Sequence, residues 1–181
     1  ILSWLSQDDD AHWFTHFIQH LLKGDMPAFE SGLKEVMLKI SSHHDLARDP
    51  ECFYHGIVLG LTAHLLDHPN YILSSNHESA FGRYDYLILS RDPSQPCILF
   101  EFKKIKKPTT STQKHNHLQL LLSKAASEAL EQIDSNQYMT TAFTHGAIKV
   151  LQVGIAFCGK ELALASKVST KTDVSKSATL K

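Results

Sequence analysis

The chain has 181 residues, 43% hydrophobic and 20% charged, with 18 Lys and Arg against 19 Asp and Glu for a net charge of -1. That length suits one domain with a sizeable core. The near-zero charge excludes nucleic-acid binding by bulk electrostatics, so any such contact has to come from a local patch. No run of about 18 apolar residues is present and no charged-then-apolar leader is recognisable, so neither a membrane helix nor a signal peptide is expected. Cys52, Cys97 and Cys158 are odd in number and far apart, which suits reduced, buried thiols and not a disulfide frame or a zinc site. The sequence opens on Ile1 and not Met, which reads as a piece of a longer protein.

Two helices are expected first. Asp8, Asp9 and Asp10 make a good helix start, and Trp13, Phe14, Phe17, Ile18, Leu21 and Leu22 recur at helical spacing up to Gly24. Phe29, Leu33, Val36, Met37 and Ile40 form the stripe of a second helix over 26–42, followed by a loop with His43 and His44. Residues 49–67 predict a third helix, with Pro50 in its first turn. Its apolar residues, from Phe53 and Tyr54 to Leu65 and Leu66, cover more than one face, so it should lie against a sheet. Tyr71–Ser75 is a short strand, and 76–82 a loop carrying His77 and Glu78.

Next come two strands, around Leu87-Ile88-Leu89 and Ile98-Leu99-Phe100-Glu101-Phe102-Lys103, joined by turn-forming Asp92-Pro93-Ser94-Gln95-Pro96. A hairpin centred near Pro93 sets Asp85 opposite Glu101, a like-charge pair that destabilises a strand pair on its own. Lys103 shares the face of Glu101, roughly 7 Å further along. Two carboxylates and a lysine on an otherwise apolar hairpin point to a divalent cation with a lysine beside it; the plainer alternative is a salt-bridge cluster. Lys103, Lys104, Lys106 and Lys107 then lead into a Thr/Ser connection. Residues 117–134 predict a fourth helix, 138–143 a short one, 148–157 a strand buried on both faces, and 161–165 an edge strand after a turn at Gly159. From Ser166 the composition is Ser, Thr and Lys, with little to bury, and is expected to be a disordered tail. After the two opening helices the order is helix, strand, strand, strand, helix, strand, strand: an α/β sandwich around a mixed sheet.

This order resembles the PD-(D/E)XK nuclease superfamily, and most closely a branch found beside AAA-ATPase-like modules and in nuclease or pseudo-nuclease modules of toxins and effectors from intracellular bacteria. The residues that carry the resemblance are Phe53-Tyr54-His55-Gly56, Leu59-Gly60-Leu61, Ser75-Asn76-His77-Glu78-Ser79, Gly82-Arg83-Tyr84-Asp85 and Glu101-Phe102-Lys103. Later ones are Ala129-Leu130-Glu131-Gln132-Ile133, Tyr138, and Gly154 to Lys160. Ala80 departs from the pattern, where the branch usually has glycine. The resemblance implies a restriction-endonuclease-like core, a central mixed β-sheet flanked by helices in αβββαβ order, over residues 49–165. Residues 1–48 would be a helical extension packed on it and 166–181 a polar tail.

It further implies a Mg²⁺- or Mn²⁺-dependent nuclease that hydrolyses phosphodiester bonds, with DNA favoured. Asp85, Glu101 and the backbone carbonyl of Phe102 would hold the metal. Lys103 would orient a water or stabilise charge on phosphorus, Glu78 would be a further ligand or hold the metal's water, and Gln132 would point back as a positioning group. Arg83 either binds phosphate or pairs with Glu78. Lys104, Lys106, Lys107 and Lys114 either track a nucleic-acid backbone or are solvated. The other reading implied is a nuclease-fold module kept for protein binding inside a larger effector. In either case the rest of a parent protein is a partner, no membrane is involved, and the location is the bacterial cytoplasm or a host cell. Lys114-His115-Asn116-His117 looks superficially like an HNH nuclease motif but lacks the ββα surroundings. His55 is expected to be a packed core histidine, and Trp13, Phe14 and Phe17 core or docking surface.

Overall fold

The computed structural model describes residues 8–40, 50–75, 78–79, 82–107, 114–136 and 138–173; for 8–11, 40, 50–52, 78–79, 82–83 and 114–115 it describes the backbone alone. Helices α1 (Asp8–Lys23), α2 (Met26–Ile40) and α3 (Pro50–Thr62) come first, and a 3-10 turn, Ala63–Asp67, completes the third. Strand β1 (Tyr71–Ser75) is followed by the two-residue strands β2 (Glu78–Ser79) and β3 (Gly82–Arg83), then β4 (Tyr86–Ser90) and β5 (Cys97–Lys104). Helices α4 (Lys114–Ser135) and α5 (Met139–Thr144) lead to β6 (Lys149–Cys158) and β7 (Glu161–Thr170). This is the α/β architecture the residue pattern predicts, a mixed sheet between helical layers.

The main sheet has the order β1-β4-β5-β6-β7. Only β5 and β6 run parallel, because α4 and α5 carry the chain from one to the other; the remaining neighbours are antiparallel. The hairpin register pairs Tyr86 with Phe100 and Ile88 with Ile98, so one step outward Asp85 comes opposite Glu101, as the turn position predicts. The turn is held locally: Ser94 N–H donates to Asp92 Oδ1 at 2.9 Å, and Gln95 N–H to the Asp92 carbonyl at 3.1 Å.

Alternation along the strands splits the core in two. On one face Tyr86, Ile88, Ile98, Phe100, Phe102, Val153, Ile155 and Phe157 pack against Phe17, Leu21, Phe29, Leu33, Met37, Tyr54 and Ile57 of α1, α2 and α3. Tyr54 stacks on Phe157 with centroids 4.2 Å apart, and its phenol donates to the Gly159 carbonyl at 2.8 Å. On the other face Leu87, Leu99 and Val150 meet Ile133, Tyr138, Met139 and Phe143, and Ala156 and Cys158 meet Leu118, Leu122, Ala125 and Ala126. Cys97 and Cys158 are free and buried, as expected for two of the three thiols.

Three elements differ from expectation. The third helix tightens to a 3-10 turn after Thr62, whose Oγ1 donates back to the Val58 carbonyl at 2.9 Å. The segment expected as a loop between β1 and β4 contains a small hairpin, in which Glu78 pairs with Arg83 in the backbone register. Strand β7 does not stop at Ala165 but runs to Thr170 along the whole of β6. Its polar end is held by partners: Ser169 accepts from the buried Gln152 amide at 2.7 Å, and Lys167 pairs with Asp134 of α4. Residues 174–181 of the expected tail, and His43, His44, His77 and Ala80, lie outside the described residues.

Candidate functional site

The site lies at the C-terminal end of β5, on the face covered by α4. Strand alternation puts Leu99, Glu101 and Lys103 on that face, while Ile98, Phe100 and Phe102 turn to the aromatic core. Glu101 is 4% exposed, an acidic side chain inside the sandwich. Burying a carboxylate costs several kcal/mol unless polar partners meet it. One is Gln132 on α4, whose Nε2 donates to Glu101 Oε1. The same amide turns its oxygen to the lysine: Lys103 Nζ donates to Gln132 Oε1 at 2.7 Å. A single glutamine thus joins carboxylate and ammonium, and the two contacts fix which way its amide points.

Asp85 sits just before β4 and is half-buried. Its Oδ2 accepts the Phe102 N–H at 2.8 Å, which ties the carboxylate to the backbone between Glu101 and Lys103. Three neighbours hold this corner. Tyr84, 2% exposed, shares a hydrogen bond with Ser74 Oγ of β1 at 2.8 Å and packs edge-on against Tyr138. Tyr138 in turn accepts from Asn136 Nδ2 at 2.8 Å, just beyond the end of α4. On the opposite face His55 lies half-buried with Nε2 3.1 Å from Ser75 Oγ and its ring 5.4 Å from that of Phe102. It is packed and hydrogen-bonded, but half-buried at the edge and not within the core as expected.

The sheet beside Glu101 is held open by a glycine. Gly154 of β6 pairs with Glu101 of β5, and α4 crosses directly over it. A Cβ at 154 would come 2.3 Å from the Ala126 carbonyl oxygen, 2.9 Å from Ala129 Cβ and 3.1 Å from Leu130 N. Gly154 stood in the sequence only as one residue of a longer match. The signal was available: a glycine inside an apolar strand marks a close backbone approach. Tyr84 had no comparable signal, since a tyrosine before an aspartate announces nothing about its partner.

The structure thus gathers Asp85, Glu101, Lys103 and Gln132. Glu78 and Arg83 face each other in the small hairpin just ahead of Asp85, and their side chains are not described. Lys104, Lys106 and Lys107 continue outward from Lys103 and are exposed. Burial pushes the Cys158 thiol at the end of β6 up; the nearby Lys107 and Lys104 charges lower it and Glu161 raises it. Lys114 opens α4, with its side chain not described; His117 is exposed on the same helix, and among the described residues no ββα unit surrounds it.

Asp85 and Glu101 are oxygen donors of the kind a hard cation such as Mg²⁺ or Mn²⁺ takes, and backbone carbonyls or water would have to supply the remaining ligands. Among the described residues no group of three or more His, Cys, Asp or Glu gathers at metal-binding distance, so carbonyl and water oxygens would have to complete the shell. No helix among them is long and apolar enough to cross a membrane.

A five-stranded mixed sheet with Asp85 ahead of one strand and Glu101 and Lys103 on the next defines a nuclease-type α/β fold. The family model for the PD-(D/E)XK nuclease superfamily matches residues 49–167, close to two thirds of the chain, and the protein belongs to that superfamily. No curated protein matches the sequence.

Proposed function

We propose that the chain is a divalent-metal-dependent nuclease domain hydrolysing phosphodiester bonds of DNA, within a larger bacterial protein. One observation carries the reading: a buried carboxylate and a lysine two residues on are joined by one glutamine at one sheet end, with a second carboxylate opposite, held by the Phe102 N–H. Asp85, Glu101 and the Phe102 carbonyl are the proposed ligands of Mg²⁺ or Mn²⁺. When bound, such a cation polarises a phosphate and lowers the pKa of a water.

The chain's own residues do the rest. The Phe102 N–H holds Oδ2 of Asp85 and so aims Oδ1. Gln132 fixes Glu101 and Lys103 relative to one another. The Lys103 ammonium orients the attacking water and counters charge developing on the phosphate, a role worth about 10²–10³ in rate for a single preorganised donor. Glu78 is proposed to hold a water or join the metal shell. Arg83, Lys104, Lys106, Lys107 and Lys114 are proposed to track the phosphate backbone, each cation contributing through counterion release.

The net charge of -1 favours a second reading, a nuclease-fold module that binds a protein partner with little cleavage. Supercoiled plasmid incubated with Mg²⁺ or Mn²⁺ separates the two. The nuclease reading expects nicking by the wild type that falls at least about 10²-fold in Asp85→Ala and Lys103→Ala. Equal, background-level nicking by all three would leave the binding module as the reading.

A further inference from the structure

We infer that Gly154 is a positioning residue for this site, acting through Gln132. The argument is one of distance. Gly154 is the direct cross-strand neighbour of Glu101, and its missing side chain leaves the space in which the α4 backbone rests. An added Cβ would stand 2.3 Å from the Ala126 carbonyl oxygen, and ordinary contact begins near 3.4 Å. An alanine therefore pushes α4 outward by about 1 Å, since a packed interior has no slack to absorb it. The obstructing atoms are backbone and a Cβ, which cannot swing aside.

Gln132 lies three residues beyond Ala129, on the same face of α4, and rides with the helix. A displacement of about 1 Å carries the 2.7 Å contact from Lys103 to Gln132 past the 3.5 Å at which a hydrogen bond is lost. The neighbouring small residues of α4, Ala125, Ala126 and Ala129, are all buried and keep the approach close along the helix. The strand glycine thus sets how far the amide reaches, without touching substrate or metal. The inference deepens the nuclease reading of the same site, and its first readout is independent of cleavage.

That readout is the side-chain amide of Gln132 in ¹⁵N-labelled, metal-free protein, which bridges a carboxylate and a lysine in the wild type. Gly154→Ala is expected to move this resonance pair toward the position of exposed glutamine amides and to speed its exchange with water at least tenfold. Leu122→Ala serves as the control for mere loss of packing. It empties a fully buried site on α4 ten residues from Gln132, about 15 Å along the helix, and should lower Tm while leaving that amide in place.

With Mg²⁺ and plasmid, Gly154→Ala should lower kcat at least tenfold with KM within about twofold, and Gly154→Ala with Gln132→Ala should cleave no more slowly than Gln132→Ala alone. If Gly154→Ala does not fold, Ala129→Ser, which adds one atom at the same contact from the helix side, is measured in its place. A Gln132 amide unmoved by the substitution, or moved no more than in Leu122→Ala, overturns the inference. So does wild-type kcat in a variant whose amide has moved. If the wild type does not cleave at all, the nuclease reading fails and the amide alone decides the role of Gly154.

Discussion

The two faces of the sheet are built on opposite plans. Toward α1, α2 and α3 the strands present Tyr86, Phe100, Phe102 and Phe157, large rings that stack on one another and on Tyr54. Toward α4 the same strands present Gly154, Ala156, Glu101 and Lys103 to a helix face of buried alanines. Large rings bury the most apolar area and keep a helix at a distance; small residues bury less but let a backbone come close. A polar side chain of modest length, Gln132, then reaches both charged groups of β5. Both faces are buried, but only the second brings a helix backbone close against a strand. The carboxylates and lysine proposed as the site stand on this second face.

The widest expected contrast between the faces sets Lys103→Ala against Phe157→Ala. Lys103→Ala should lower plasmid nicking at least about 10²-fold while urea unfolding places its stability within about 1 kcal/mol of wild type, because Lys103 is partly exposed. Phe157→Ala should cost about 3–5 kcal/mol in the same unfolding measurement and leave the activity of the remaining folded molecules largely intact. A Lys103→Ala protein as unstable as Phe157→Ala would mean that the site face also carries the fold.

Tyr86 gives a smaller effect with a defined sign. Burial pushes its phenol up to about 12, although the bond shared with Thr62 Oγ1 at 2.6 Å pulls the other way. The folded state therefore holds this proton at pH values where the unfolded chain, near 10, has released it. The contribution is fully present below pH 10 and is lost as pH rises through 12. Stability measured between pH 9 and 11.5 should fall more steeply for wild type than for Tyr86→Phe. At pH 7 the substitution should cost about 0.5–1.5 kcal/mol for the lost hydrogen bond. The smallest effect is expected where α4 meets the edge strand: Lys167→Ala removes an exposed pair with Asp134 and should cost about 0.2–1 kcal/mol, shrinking further in 0.5 M salt.

Much of the aromatic face and of the hairpin was legible in the residues, and for physical reasons. A turn as strongly marked as Asp92 to Pro96 fixes the register, and the register fixes which side chains oppose one another. The pairing of Asp85 with Glu101, and Lys103 on the same face, follow from counting. The bond from Gln132 to both groups did not follow, because helix periodicity gives a face and not a height above the sheet; Gly154 sets that height. The length of β7 was hidden for another reason. Ser166 to Thr170 look unstructured by composition, yet an edge strand needs only a backbone partner, and here β6 supplies one along its full length. Gln152, buried in β6, then takes Ser169 as a hydrogen-bond partner that no local pattern announces. The shortening of α3 at Thr62 likewise turns on one hydroxyl bonding back to the preceding turn.

The central claim is that Asp85 and Glu101 hold a divalent cation beside Lys103. Crystals of the protein soaked in Mn²⁺ test it most directly, through the anomalous difference map. The account predicts a peak between the carboxylates of Asp85 and Glu101, absent in Asp85→Ala. A map without a peak there at saturating Mn²⁺, or with one only at other carboxylates, would contradict it.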